Sequence, residues 1–139
     1  MREIKYIVIH CTATQPTATI ESIKNYWKTQ LGWKNPGYHY LLDDTGGIHP
    51  LLSHELIANG VAGYNKESIH VSYIGGIDGD NHPKDTRTEK QLNSMIGLIY
   101  FLKQKYPNAI ILGHRDFPNV HKACPSFDVK TWLNEMDIE

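Results

Sequence analysis

The stretch IKYIVIH (residues 4–10) runs directly into CTATQPTAT (residues 11–19). Seven residues rich in β-branched and aromatic side chains stop at a polar segment, which is the pattern of a strand buried on both faces. His10 then stands at the strand's carboxyl end. Outward from there, Thr19 is placed to cap a helix of about ten residues, with Ile20, Ile23 and Trp27 at helical spacing and Gly32 beyond its end. KNPG (34–37) is a turn. YHYLL (38–42) reads as a strand, and DDTGG (43–47) folds it back into a second strand near Ile48. SIHVSYI (68–74) alternates and is β-rich, predicting another core strand. Thr88 and Gln91 form a capping box ahead of a helix that buries Leu92, Met95, Ile96, Ile99 and Leu102 and stops at Pro107. AIIL (109–112) is a short buried strand, and Asp128 opens a last helix carrying Trp132 and Leu133. Residues 51–67 lack period and predict a surface loop with a short strand; residues 75–87 predict a loop.

This element order predicts one α/β (α+β) domain over residues 1–139, a central mixed β-sheet flanked by helices. The chain has 139 residues, with 14 Lys+Arg against 15 Asp+Glu and a formal charge of −1. That length supports one core without disulfide staples. The charge balance lacks the basic excess of a nucleic-acid binder or a polybasic membrane-surface protein. The longest nearly apolar stretch, residues 95–102, is far below the roughly 18 residues of a membrane span. The amino-terminal apolar run covers only residues 6–9, too short for a secretory signal. The chain is therefore expected to be cytoplasmic as synthesised, or trimmed of an export signal.

Ligand sites in such sheets favour the carboxyl ends of strands. Two His residues sit there, His10 and His114. With Cys124, on the irregular segment RDFPNVHKAC (115–124), they make a set of nitrogen and sulfur donors suited to zinc with one open position. The alternative is two hydrogen-bonded strand-end imidazoles and a buried thiol. Cys11 points to the opposite face from His10 and reads as a small buried hydrophobe. A Cys11–Cys124 disulfide is a further alternative. Asp116 and Asp128 read as loop-fixing or helix-capping residues. Trp27 reads as core, and Trp33 and Tyr64 as core or groove wall. His39 reads as a satisfied His. His49, His54, His70, His82 and His121 carry no assigned partner.

Four strings together are specific: VIHCTAT (8–14), PGYHYLLDDTGGI (36–48), SIHVSYIGGID (68–78), and GHRD (113–116) followed by HKACPSFD (121–128). In order and separation they resemble the zinc-dependent N-acetylmuramoyl-L-alanine amidases, a family that includes amidase-type phage lysozymes and animal peptidoglycan recognition proteins. The similarity covers about residues 4–133. It implies one Zn2+ per chain held by His10, His114 and Cys124, with Tyr38 and Lys122 needed for hydrolysis. It implies cleavage of the amide between N-acetylmuramic acid and L-alanine in peptidoglycan, by a monomer that meets the cell wall after release or export. A peptidoglycan-binding module that does not cut is the alternative; such relatives usually lack the Cys ligand. Two departures stand out. Many members carry a groove-lining His a few residues before GYN, where this chain has NGVAGYN with Val61 at or near that place. The loop between His114 and Lys122 is also slightly longer than in the phage pattern.

Overall fold

A computed structural model describes residues 2–138. Strands β1 (Tyr6–Cys11), β2 (Tyr40–Leu42), β3 (Ile48–Pro50), β4 (Ser68–Tyr73) and β5 (Ile110–Gly113) form one sheet in the order β3-β2-β4-β1-β5. β1 pairs in parallel with both β4 and β5, β2 pairs in parallel with β4, and β3 runs antiparallel to β2. The mixed sheet flanked by helices read from the sequence is the fold observed.

The helices sort by the period-2 faces of the strands. Ile7, Ile9 and Cys11 of β1 and Ile69, Val71 and Tyr73 of β4 face one side. There they pack with Met95, Leu98, Ile99 and Leu102 of α2 (Glu89–Lys105) and with Val129, Trp132 and Leu133 of α3 (Val129–Glu135). Leu41 faces the other side, against Ile23 and Trp27 of α1 (Ile20–Thr29). Each helix starts on a side-chain cap: Thr19 accepts from Ser22 N–H, Thr88 and Gln91 close a reciprocal box, and Asp128 accepts from Thr131 N–H. Gln91 is fully buried because its amide also donates to the carbonyls of Leu42 and Ile74, each at 3.2 Å, tying α2 to the sheet.

Two expectations change. The 38–42 strand begins only at Tyr40, because His70 N–H is taken by His39 Nδ1 (3.0 Å) instead of a ladder carbonyl. Residues 51–67 hold no strand; their one regular element is a 3₁₀ turn at Asn65–Glu67. Instead, Arg2 donates to the carbonyls of His54, Asn65, Lys66 and Ser68, a side-chain clamp in place of strand pairing. The core strand expected over 68–74 is present as β4. All six of its residues are buried, with Gly60, Tyr64 and Asn65 covering Ser68 and His70 on the face away from α2.

The β2–β3 hairpin is held by one carboxylate. Asp43 accepts from Thr45 N–H (2.9 Å), Thr45 Oγ1 (2.7 Å), Gly47 N–H (2.8 Å) and His49 Nε2 (2.6 Å). A Cβ on residue 47 would overlap that carboxylate. Burial works against ionisation here, but the hydrogen bonds from His49, Thr45 and Gly47 outweigh it and hold Asp43 down at about 2. A depressed carboxyl contributes its stability above the unfolded value of about 4 and loses it as pH falls through the folded value. Asp43→Ala is therefore expected to cost about 1–3 kcal/mol at pH 7. The gap to the parent should close between about pH 4 and pH 2. Denaturant unfolding at pH 7, 4 and 2 checks this; a gap that does not change with pH contradicts it.

Candidate metal centre and active site

The parallel register places the first two donors level with each other. Ile9 pairs with Gly113, so His10 and His114 are the next residues along neighbouring strands. Their rings lie 4.8 Å apart between centroids. Asp116 fixes the turn that follows by accepting from Gly113 N–H at 2.8 Å. The 115–124 segment returns Cys124 to the same edge, where Arg115 N–H donates to the Cys124 carbonyl (3.0 Å). One ligand atom from each of His10, His114 and Cys124 falls within 4.8 Å of the others. Both cysteines are free thiols, and Cys11 is buried in the main core as its strand position required.

The donor set suits a borderline-soft divalent cation. A metal needs neutral imidazole, and burial together with the Lys122 charge holds the His114 imidazole down at about 4. Burial, with His70, His114 and Lys122, likewise pushes His10 well below its ordinary value. The neighbouring Cys11 thiol and burial push the Cys124 thiol up. That thiol gives up its proton when a cation arrives. Cys124 Sγ already accepts the Cys11 N–H at 3.2 Å, a bond that favours the thiolate. His10 Nδ1 is the nitrogen that faces this sulfur, at 3.8 Å.

Around the three donors lies a cleft of about 180 Å³ whose walls include Tyr38, Trp33, Gly60 and Lys122. It opens into a groove of about 680 Å³ along α1, walled by Tyr26, Trp27, Leu31 and Trp33. Trp27 and Trp33 stack 6.5 Å apart, with Trp27 8% exposed and Trp33 half-buried. Tyr38 is half-buried, its ring 5.0 Å from that of His10, and its hydroxyl donates to the Cys11 carbonyl at 3.1 Å. Burial raises the Tyr38 phenol above its usual value, so it stays protonated and serves here as a hydrogen-bond donor. Lys122 is exposed on the rim and forms no ion pair among the described residues.

The family is decided by sequence. Residues 1–127 match the N-acetylmuramoyl-L-alanine amidase family, Amidase_2. This chain belongs to the N-acetylmuramoyl-L-alanine amidase family. The endolysin of Enterobacteria phage K11 is 32% identical over 139 residues, covering 99% of this chain and 90% of the relative. The endolysin of Escherichia phage T7 is 32% identical over 134 residues, covering 95% and 87%. Among solved structures, the Ph2119 endolysin of a Thermus scotoductus bacteriophage superposes with a TM-score of 0.83 at 23% identity, over 100% of this chain and 88% of that one. The amidase LysC of Clostridium intestinale gives 0.82 at 22% identity, over 99% and 88%. These two likenesses concern the fold. The chain is an enzyme, an N-acetylmuramoyl-L-alanine amidase.

Several residues whose places the sequence left open are now fixed. Val61 is not a groove residue; it is 3% exposed and packs with Val8 and Phe117. Tyr64 packs edge-on against Tyr6 and is tilted against Phe117 in the same cluster. Asn59 and Gly60 are the residues of that segment that line the cleft. His49, His54 and His70, read as lacking partners, all have them. His49 pairs with Asp43, His54 bonds the hydroxyls of Tyr40 and Tyr106, and His70 bonds His10. The signal for the last pair is the period of two strands. Val8 pairs with His70 in parallel, which puts His10 and His70 on one face as diagonal neighbours.

Proposed function

We propose that the chain cleaves the amide between the lactyl group of N-acetylmuramic acid and the L-alanine of the stem peptide in bacterial peptidoglycan, with one zinc ion held by His10, His114 and Cys124. The observation that carries this reading is the convergence of those three donors to within 4.8 Å at the floor of a groove in an amidase-family chain. The acting unit is a monomer of the single domain, and it meets the wall after release or export.

Zinc, when bound, polarises a carbonyl and makes water a nucleophile near neutral pH. The protein supplies the rest. The groove along α1 takes the muropeptide, with Trp33 and Tyr26 as apolar walls. Lys122, a positive charge on the cleft rim, faces the oxygen that gains negative charge as the carbonyl carbon becomes tetrahedral. Tyr38 holds a proton at its hydroxyl. In exchanging the Cys11 carbonyl for the substrate, it donates a hydrogen bond to the attacking water or to the tetrahedral intermediate and helps position the proton being moved there. Among the described residues no carboxylate lines the inner cleft; its hydroxyls are those of Tyr38 and Thr12, and Tyr38 is the one whose ring lies against His10.

Digestion of purified peptidoglycan by the zinc-loaded protein tests this. New amino-terminal alanine with intact glycan strands is expected. Retention on peptidoglycan without new alanine ends, at several pH values and with zinc confirmed, would replace the enzyme reading by a binding module.

A further inference from the structure

One buried group next to the metal centre has no part in the proposed chemistry, and its bonding can be assigned atom by atom. Asn65 accepts at one side-chain atom from two backbone amides, Gly60 N–H at 3.0 Å and Val61 N–H at 2.8 Å. Backbone nitrogen only donates, so that atom is the carbonyl oxygen Oδ1. The same Oδ1 lies 2.8 Å from His70 Nε2, so Nε2 carries the hydrogen and donates. A neutral imidazole with its hydrogen on Nε2 has a lone pair on Nδ1. His70 Nδ1 lies 2.8 Å from His10 Nε2, so His10 donates there. This leaves the lone pair of His10 on Nδ1, the atom that faces Cys124 Sγ.

We propose that His70 is a positioning residue for the metal centre: its Nδ1 accepts the His10 Nε2–H and so fixes both the ring orientation and the tautomer that present His10 Nδ1 to the ion. The proposal rests on the zinc reading above. His70 is itself immobile. It has no exposed surface, both ring nitrogens are bonded, and its N–H is held by His39 Nδ1 at 3.0 Å. Its ring occupies the space beside Gly60, where a Cβ would overlap three of its atoms. The missing side chain at residue 60 is what admits the imidazole behind His10. Outer partners of this kind set ligand orientation and basicity, and their loss typically weakens metal binding about 10- to 100-fold.

Two substitutions separate a hydrogen-bonding role from a packing role. His70→Leu keeps apolar volume but accepts nothing; His70→Asn is smaller but can place an oxygen near the Nδ1 position. Zinc affinity is measured by chelator competition on folded protein, with no substrate present. The proposal predicts His70→Leu about 10- to 100-fold weaker than the parent and His70→Asn closer to the parent. In metal-free protein, the slowly exchanging His10 Nε2–H should be visible by NMR in the parent and the Asn variant and lost in the Leu variant. Leu binding as tightly as the parent, or more tightly than Asn, overturns the proposal. If His70→Leu does not fold, Gly60→Ala displaces the ring instead and is expected to weaken zinc binding by a similar factor; parental affinity there overturns it. A parent protein that binds no zinc overturns the metal reading itself, and this proposal with it.

Discussion

Cys124→Ala is expected to lose zinc and hydrolysis together. The substitution removes the only sulfur and the only anionic donor of the set, leaving two neutral imidazoles. Loss of an outer-shell partner alone costs about 10- to 100-fold in metal affinity, so loss of a direct ligand is expected to exceed about 100-fold. The protein should still fold, because Cys124 only borders the main core, whose centre lies between the sheet and α2. Metal content after gel filtration, read beside amidase turnover and a circular dichroism spectrum, checks this. A folded Ala variant that retains one zinc per chain removes Cys124 from the ligand set.

Lys122→Ala should separate binding from chemistry. Lys122 is exposed on the rim and touches none of the three donors through a hydrogen bond among the described residues. Zinc content and stability are therefore expected to match the parent. Turnover should fall by about 100- to 1000-fold, the usual cost of losing one group that stabilises a developing oxyanion, with little change in KM. Full kcat in the variant removes Lys122 from the mechanism. A rise in KM at constant kcat would make it a substrate-binding residue instead.

The sequence carried most of the frame, for definite physical reasons. The apolar runs of β1 and β4, the Thr19, Thr88 and Asp128 caps, and the Asp43–Gly47 turn are local signals, decided by residues close in the chain. The candidate donor set could be picked out because His10 and His114 lie at the carboxyl ends of strands and Cys124 sits in a distinctive motif; its three ligand atoms converge in the fold. The His70–His10 bond was not legible from either strand alone. It depends on β1 and β4 lying side by side in parallel, a choice made by the whole sheet. It also depends on Gly60, which belongs to a segment without any period. The burial of Val61 was open for the same reason: in an aperiodic loop, nothing in the sequence says which residue turns to the core. The late start of β2 has no signal in the sequence because a side chain, His39, takes the place of a ladder carbonyl, which backbone periodicity does not report.

Zinc X-ray absorption on the purified protein reads the first coordination sphere directly. One zinc per chain is predicted, with one sulfur at about 2.3 Å and two imidazole nitrogens at about 2.0–2.1 Å, and with the sulfur lost in Cys124→Ala. A stoichiometric zinc with no sulfur neighbour, or a sulfur that persists in that variant, would contradict it.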